Sequence, residues 1–301
     1  MLVNLKEILR IAEAKKIAIG AFNTPNLESV LAVISAAEEL NVPVIIQHAQ
    51  VHEDICPLRI IGKVMVQCAK DAKVPVCVHL DHGEDLAYLQ EALDLGFTSI
   101  MYDGSVLPYE ENVANTCIAV SMAKKYNASV ESEIGTMGAR EGGGEDLGQI
   151  YTNPQDAERF VKDTGIDALA CSFGTAHGIY AKEPRLDFKV LEEIKKRVDI
   201  PLVMHGGSGV SDEDYRKVIA GGIRKINYYT YMAKAGGENI EQHFQMNRFP
   251  ISKDGKEYEV IYTVVEKGKS KPTFYHDIVT WGVQAMKNNC MRAMRVFTET
   301  K

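Results

Sequence analysis

The chain has 301 residues, 46% of them apolar and 25% charged, a composition that excludes a disordered, collagen-like or low-complexity protein. Its formal net charge of −7, from 34 basic and 41 acidic residues, excludes the basic surface of a nucleic-acid-binding protein. The longest apolar stretches are far shorter than the roughly 20 residues of a membrane span, and the N-terminus has no apolar signal core. We therefore expect a cytoplasmic protein that binds neither nucleic acid nor a membrane.

Short β-branched runs alternate with longer helical patterns along the chain. The predicted strands are Ile17–Ala21, Val44–Gln47, Val76–Leu80, Ser99–Tyr102, Ser129–Glu133, Ala168–Cys171, Leu202–Met204 and Lys225–Tyr228. The predicted helices between and after them are Asn26–Leu40, Leu58–Lys73, Glu84–Leu95, Glu110–Tyr126, Asn153–Thr164, Asp187–Arg197, Ser211–Ala220 and Tyr231–Asn247. Eight strands, each followed by a helix, predict an α/β protein with a (β/α)8 TIM barrel, which typically takes about 250 residues. The alternative is an open doubly wound sheet, but no Gly-x-Gly-x-x-Gly loop follows the first strand.

Two segments do not belong to a minimal barrel. Residues 135–148, with six glycines among fourteen residues, follow the fifth strand and predict a mobile loop that acts as a lid. Residues 249–272 contain the turn signal Asp254-Gly255 beside alternating tyrosine and valine, which predicts an inserted hairpin. We expect a C-terminal helix at about Phe274–Phe297 and a single domain over residues 1–301.

Three histidines lie at or after the carboxyl ends of three different predicted strands. His82 follows the third strand in HLDHG, His177 follows the sixth in GTAHG, and His205 follows the seventh in HGG. The carboxyl ends of barrel strands meet at one mouth, where the active sites of TIM barrels lie. Three imidazoles that converge there indicate a Zn²⁺ site with one open position, although residues so far apart form no local metal motif.

Carboxylates occupy the same strand ends. Asp81 precedes His82, Asp103 ends the fourth strand in MYDGS, and Glu133 ends the fifth in ESEIG. A carboxylate beside a metal acts as an acid or a base, or binds the metal directly. For Asp103 and Glu133 the alternative is helix capping or a surface salt bridge.

Glycines and hydroxyl residues after the last three strands predict a phosphate site. Backbone amides at a helix N-terminus, together with serine and threonine hydroxyls, bind anions well. Barrels often bind phosphate beside their seventh and eighth strands. The residues concerned are Gly178, Gly206, Gly207, Ser208, Asn227 and Thr230.

The ordered motifs HLDHG, MYDGS, ESEIG, GTAHG, HGGSG and KIN-x-x-T resemble those of the zinc-dependent class II aldolases of ketose phosphates. That family includes fructose-bisphosphate and tagatose-bisphosphate aldolases. The resemblance spans residues 21–230, about 70% of the chain. It implies a TIM barrel, assembled as a homodimer or homotetramer, whose substrate is a phosphorylated sugar. The reaction implied is reversible cleavage of a ketose 1-phosphate or 1,6-bisphosphate to dihydroxyacetone phosphate and an aldehyde.

The resemblance also implies the metal ligands. Family members bind one catalytic zinc through three histidines, with carboxylates at an alternative position. By motif position the ligands would be His82, His177 and His205, and the alternative position would involve Asp103 and Glu133.

Catalytic and substrate-binding roles follow from the same motifs. Asp81 would transfer the proton of the aldehyde-side hydroxyl, and the glycine-rich loop would supply a second acid–base group, Glu145 or else Glu141. A monovalent cation, Na⁺ or K⁺, would lie near Gly178 and Gly206. The residues that would bind the substrate are Asn23, Gly178, Gly206, Gly207, Ser208, Asn227 and Thr230.

The sequence departs from the family pattern at the distal end of the substrate. Bisphosphate aldolases commonly carry a Ser-x-Gly-Ala-like turn after the second strand, whereas this chain has QHAQVH at residues 47–52. The family's Asp-Pro-Arg segment near the C-terminus is also absent. We hypothesise that the acceptor aldehyde is not simply glyceraldehyde 3-phosphate, or that its phosphate is bound by other residues. The candidates are His48, His52, Arg292 and Arg295, for which a surface histidine and a solvated helix face are the alternatives.

Alternatives remain at two levels. Within the aldolase hypothesis, cleavage of fructose or tagatose 1,6-bisphosphate and cleavage of another ketose 1-phosphate are nearly balanced. A zinc-dependent barrel hydrolase is a different class, and it would leave Ser208, Asn227 and Thr230 without a role. A non-catalytic aldolase-like subunit is the third hypothesis, but it would be expected to have lost the ligand histidines or Asp81, which are all present.

Overall fold

The computed structural model describes residues 1–137, 149–178, 184–246, 248–265 and 269–300. The strands are β1 (Leu2–Val3), β2 (Ile19–Asn23), β3 (Val44–Ala49), β4 (Val76–Gly83), β5 (Ser99–Tyr102), β6 (Ser129–Ile134), β7 (Thr136–Met137), β8 (Gln149–Ile150), β9 (Ala168–Cys171), β10 (Leu202–Met204), β11 (Ile223–Tyr228), β12 (Arg248–Lys253), β13 (Lys256–Val265) and β14 (Lys269–Pro272). The helices are α1 (Leu5–Lys15), α2 (Leu27–Leu40), α3 (Leu58–Asp71), α4 (Leu86–Leu95), α5 (Tyr109–Lys124), α6 (Pro154–Thr164), α7 (Phe188–Arg197), α8 (Asp212–Ala220), α9 (Thr230–Met246) and α10 (Tyr275–Thr298).

Eight parallel strands close into a barrel in the order β2-β3-β4-β5-β6-β9-β10-β11, and β11 pairs with β2 again. Each strand is followed by a helix that packs on the outside, so the predicted TIM barrel is confirmed. All eight predicted strands and the helices after them are present, with bounds that differ by a few residues at most. The short strand β1, which pairs with the start of β4, carries no sequence signal that predicted it.

Apolar side chains fill two layers, one inside the barrel and one between the strands and the helices. Ile45, Cys77 and Val203 belong to the inner layer, whereas Val44 and Val78 belong to the outer one. This alternation follows from the strand period of two. Buried residues of the amphipathic helix α1 belong to the inner layer, which places α1 at the amino-terminal end of the barrel. The carboxyl-terminal mouth is the end left for a site.

Side-chain caps fix the predicted starts of two outer helices. Asn153 accepts hydrogen bonds from the backbone N–H groups of Gln155 and Asp156, and proline occupies the first position of α6. Ser211 Oγ accepts from the N–H of Asp214 at the start of α8.

The two predicted insertions have different outcomes. Residues 248–265 and 269–272 form a three-stranded antiparallel sheet, β12-β13-β14, instead of a simple hairpin. The Asp254-Gly255 turn is where the sequence placed it, with positive φ at both residues (53° and 70°), as a two-residue hairpin turn requires. The third strand, Lys-Ser-Lys-Pro, lacks the β-branched residues that signal a strand.

Most of the predicted glycine-rich loop, residues 138–148, lies outside the described residues. At its base β7 pairs antiparallel with β8, Thr136 opposite Ile150. The single-domain organisation stays a prediction. No helix in the described ranges has the length and apolarity that crossing a lipid bilayer requires.

Phe297 gives a direct test of how the C-terminal helix holds the barrel. Its ring is fully buried against Tyr215 and Tyr228, with centroid distances of 4.9 and 6.2 Å, and its carbonyl accepts from the Ala18 N–H. We expect Phe297→Ala to lower the free energy of unfolding by about 3–5 kcal/mol. Phe274→Ala, at a half-exposed residue before the same helix, is the matched control and should cost less than about 1 kcal/mol in denaturant unfolding. Equal losses in the two variants would contradict this packing.

Candidate active site

The carboxyl ends of five strands bring the predicted metal and acid–base residues together at the barrel mouth. His82 lies near the end of β4 and Asp103 directly follows β5. Glu133 is in β6, His177 lies in the segment after β9, and His205 directly follows β10. Strands that are far apart in the sequence therefore converge on one site, as the closed barrel requires.

A break in β4 lets two consecutive side chains face this site. In a regular strand, neighbours point to opposite faces. Here the β4–β5 register shifts between Leu80 and Gly83, and His82 has a φ of 46°, in the left-handed region that non-glycine residues rarely adopt. As a result Asp81 contacts Asn227 inside the barrel while His82 contacts Asp103 at the rim. Strain of this kind is typical of functional sites.

Three histidines form the first candidate metal cluster. One ring nitrogen from each of His82, His177 and His205 lies within 4.8 Å of the others. The His82 Nδ1 is 2.7 Å from Asp103 Oδ2, and the His205 Nε2 is 2.8 Å from Glu131 Oε1. These contacts leave His82 Nε2 and His205 Nδ1 facing each other at 2.8 Å. A carboxylate on the remote nitrogen is the usual way to orient a metal-binding imidazole.

The second candidate cluster is His82, Asp103 and Glu133, whose ligand atoms also lie within 4.8 Å of one another. Burial, followed by the nearby charge of Asp103, raises the pKa of Glu133 well above its usual value. Among the described residues, its buried Oε2 has no hydrogen-bond partner. Burial would lower the pKa of His82, but Asp81 and Asp103 outweigh it and raise that pKa to about 10. The mouth therefore favours a cation, and its imidazole and carboxylate donors fit Zn²⁺.

Asp81 is held by a set of amides below this cluster. Its Oδ1 accepts from Asn227 Nδ2 at 2.9 Å, and its Oδ2 accepts from Asn23 Nδ2 and Gln47 Nε2, both at 3.0 Å. Burial would raise the pKa of Asp81, but the charges of His82, His205 and Lys225 outweigh it and keep the pKa far below its usual value. The side chain is a fixed anion. Asn23, predicted to bind substrate, thus also orients Asp81.

The predicted phosphate residues line one cleft beside the metal clusters. Gly206 has a φ of 62°, and a β-carbon there would lie 2.3 Å from the Ala176 carbonyl oxygen, so only glycine fits. Ser208 Oγ accepts from the backbone N–H of Tyr229 at 3.1 Å, and Thr230 is the first residue of α9. A helix N-terminus opening into a cleft is a ready anion site. The residues lining the cleft are Asn23, His177, Gly178, Gly206, Gly207, Ser208, Asn227, Tyr228, Tyr229 and Thr230.

Residues 3–301 match the family model described as fructose-bisphosphate aldolase class-II. The chain belongs to the class II aldolase family. It is therefore an aldolase, a carbon–carbon lyase of carbohydrate metabolism. Membership in this family favours the aldolase over the barrel hydrolase.

Several bacterial aldolases are similar to this chain. The aldolase is 39% identical over 251 residues to the D-tagatose-1,6-bisphosphate aldolase subunit GatY of Klebsiella oxytoca, which covers 82% of this chain and 87% of that protein. It is 41% identical over 232 residues to a fructose-bisphosphate aldolase of Staphylococcus aureus, covering 76% and 81% of the two chains. The crystal structure of the YdjI aldolase from Escherichia coli K12 superposes with a TM-score of 0.81 at 30% identity, over 99% of this chain and 97% of that one.

The sequence motifs gave no role to Glu131 and placed Lys225 only at the start of the eighth predicted strand. Both side chains are completely buried, and Lys225 Nζ lies 2.9 Å from Glu131 Oε2 and 2.8 Å from Asn227 Oδ1. Glu131 also contacts His205, so this ion pair joins the metal cluster to the amides around Asp81. The two-residue period of a strand could have indicated both residues. Glu131 lies on the same face of β6 as Glu133, and Lys225 lies on the same face of β11 as Asn227.

Other predicted residues lie elsewhere. Glu141 and Glu145 are outside the described residues. Arg292, a candidate for the distal phosphate, pairs through Nη2 with Asp212 Oδ1 at 2.8 Å on an exposed face. That contact agrees with the alternative of a solvated helix face.

The Glu131–Lys225 pair predicts a large asymmetric effect on stability. Lys225→Met leaves a buried carboxylate without its main cationic partner, so we expect a loss of about 3–5 kcal/mol in the free energy of unfolding. Lys225→Met combined with Glu131→Gln should recover part of it, because the uncompensated charge is gone. Lys234→Met, which removes an exposed pair with Glu238, is the control and should cost about 0–1 kcal/mol in guanidinium unfolding. A Lys225→Met variant as stable as that control would contradict the pairing.

Proposed function

We propose that this aldolase is zinc-dependent and reversibly cleaves the C3–C4 bond of a ketose 1-phosphate, giving dihydroxyacetone phosphate and an aldehyde. The observation that carries the proposal is a single mouth that combines a three-histidine cluster, a fixed carboxylate and an anion cleft. The tagatose- and fructose-bisphosphate aldolases among its relatives support this substrate class. A cytoplasmic homodimer or homotetramer remains part of the proposal.

In the proposal, the metal ligands are His82, His177 and His205, with Asp103 and Glu133 as the alternative position. When bound there, Zn²⁺ supplies Lewis-acid stabilisation of the negative charge that develops on the ketose half, worth several kcal/mol. Two of the ligand histidines are already oriented by carboxylates on their remote nitrogens. A Na⁺ or K⁺ near the glycines of the phosphate cleft belongs to the proposal as well.

Asp81 is the proposed base in the cleavage direction. Its carboxylate accepts the proton of the C4 hydroxyl, and the freed electron pair forms the aldehyde C=O as the C3–C4 bond breaks. The electrons of that bond stay on C3 of the dihydroxyacetone phosphate half, which then takes up a proton. Glu145, or else Glu141, is the proposed donor. Amide contacts from Asn23, Gln47 and Asn227 hold the base in one orientation.

The anion cleft is the proposed site for the phosphate of the dihydroxyacetone half. The start of α9 offers backbone N–H groups, the glycines let the chain approach closely, and the hydroxyls of Ser208 and Thr230 add further polar groups. A non-catalytic aldolase-like subunit would have no need for an oriented Asp81. The variants described next separate these possibilities.

Asp81→Asn tests the base. The substitution keeps the shape of the side chain but removes the proton acceptor, so we expect kcat for release of dihydroxyacetone phosphate to fall about 10²–10⁴-fold. A coupled assay on fructose and tagatose 1-phosphates and 1,6-bisphosphates measures it. Asp94→Asn, at an exposed position on α4, is the control and should keep the activity. Retained activity in Asp81→Asn would contradict the assigned role.

Metal removal tests the zinc dependence. We expect about one zinc per chain by elemental analysis, loss of cleavage after dialysis against a chelator, and recovery on adding Zn²⁺. His205→Ala should lose both zinc and activity, whereas His276→Ala, on the exposed start of α10, should keep both. Full activity in the chelated, metal-free enzyme would contradict the proposal.

A further inference from the structure

Lys225 sets the direction of the hydrogen bonds beneath the barrel mouth. Its side chain is fully buried, and its Nζ lies 2.9 Å from Glu131 Oε2 and 3.1 Å from Glu131 Oε1. The same Nζ donates to Asn227 Oδ1 at 2.8 Å. An ammonium group has three donors and no acceptor, so each neighbour that bonds to it must present an oxygen atom.

On one side of Lys225, these bonds lead to the proposed base. Because Asn227 Oδ1 faces Lys225, the amide nitrogen Nδ2 faces away from it and donates to Asp81 Oδ1 at 2.9 Å. Removing Lys225 lets this amide turn over and present its oxygen to the carboxylate, which would repel it. Lys225 therefore keeps the amide donor of Asn227 directed at Asp81.

On the other side, the bonds lead to the proposed metal ligand His205. Glu131 Oε1 lies 2.8 Å from His205 Nε2. Paired with Lys225, Glu131 is a carboxylate, and a carboxylate only accepts hydrogen bonds. In a neutral His205 ring the hydrogen is then on Nε2, and Nδ1 keeps the lone pair that a metal needs. A carboxylate on the remote nitrogen also makes the imidazole a better ligand.

His79 also lies beside Glu131, but it does not replace Lys225. Its Nε2 is 3.7 Å from Glu131 Oε2, which is too long for a hydrogen bond, while its Nδ1 lies 2.8 Å from Ser99 Oγ. Burial, followed by the charge of Lys225, lowers the pKa of His79 to about 3, so the ring is neutral at neutral pH. A neutral ring does not compensate the charge of Glu131, and the compensation comes from Lys225.

We propose that Lys225 is a positioning residue of the aldolase reaction, which orients the base Asp81 through Asn227 and the metal ligand His205 through Glu131. This inference rests on the proposed function. Among the described residues, the polar contacts of Lys225 are with Glu131 and Asn227, so it acts through these two side chains. The ion pair then has a role in the reaction in addition to its effect on stability.

The double variant Lys225→Met with Glu131→Gln separates stability from positioning, because it contains neither of the two buried charges. We expect it to be more stable than Lys225→Met in guanidinium unfolding and yet to function poorly. Its affinity for Zn²⁺, measured on metal-free protein by competition with a chelator, should be about 10–100-fold weaker than that of the wild type. At saturating Zn²⁺, kcat for release of dihydroxyacetone phosphate should be about tenfold lower or less, because Asp81 has lost an oriented donor.

Two single variants complete the comparison. Glu131→Gln keeps Lys225 beside Asn227, so it should weaken Zn²⁺ binding as much as the double variant does but lower kcat at saturating Zn²⁺ by a smaller factor. Lys234→Met removes an exposed lysine that pairs with Glu238, and it is the matched control. The control should change neither the Zn²⁺ affinity nor kcat by more than about twofold.

The possible results are distinguishable. A double variant that regains stability together with wild-type Zn²⁺ affinity and kcat would give the ion pair a structural role alone and overturn this inference. If the double variant does not fold, crystals of the zinc-loaded wild-type enzyme decide: we expect His205 to present Nδ1 to the metal and Nε2 to Glu131, and a ring turned the other way would overturn the inference. A wild-type enzyme that bound no zinc, or released no dihydroxyacetone phosphate, would instead overturn the proposed function.

Discussion

Buried negative charge at the barrel mouth is the constraint on which the rest of the site depends. Asp81, Asp103, Glu131 and Glu133 are all buried within a few strands of one another. A buried carboxylate is expensive unless a cation or several hydrogen bonds compensate it. Lys225 pairs with Glu131, and amides surround Asp81. Asp103 contacts His82, and Glu133, whose pKa burial raises well above its usual value, retains an oxygen without a hydrogen-bond partner among the described residues. A divalent cation bound there would stabilise its ionised form.

The same constraint explains how metal, base and phosphate sites depend on one another. Glu131 contacts both His205 and Lys225, and Lys225 contacts Asn227, which in turn donates to Asp81. A change at any of these side chains therefore alters the orientation of the next one. The phosphate cleft depends less on side chains, because glycine backbone and the start of α9 form much of it.

Much of the fold was predictable because its signals are local. The barrel strands are short β-branched runs. Helix N-caps such as Asn153 can be recognised from the residues next to them, here the proline that begins α6. The convergence of His82, His177 and His205 followed once eight strand–helix units implied a closed barrel, since closure brings all carboxyl ends to one mouth. Strand β14 was missed because lysine, serine and proline do not favour a strand.

Other parts of the site depend on contacts between distant residues. The Glu131–Lys225 pair joins positions 94 residues apart, and only the barrel brings them together. The positive φ of His82 accompanies the register shift of β4. Because no glycine stands at that position, the sequence gives no indication of it. The burial of His48 and His52 depends likewise on packing around the rim. Sequence patterns locate candidate side chains, whereas their partners come from the closed fold.

Zinc-edge anomalous diffraction from crystals soaked with dihydroxyacetone phosphate tests the metal and phosphate arrangement most directly. We expect one zinc peak about 2.0–2.1 Å from a ring nitrogen of each of His82, His177 and His205. We also expect phosphate density in the cleft lined by Gly207, Ser208 and Thr230. A zinc peak outside both candidate clusters, or a ligand phosphate bound outside that cleft, would contradict the arrangement.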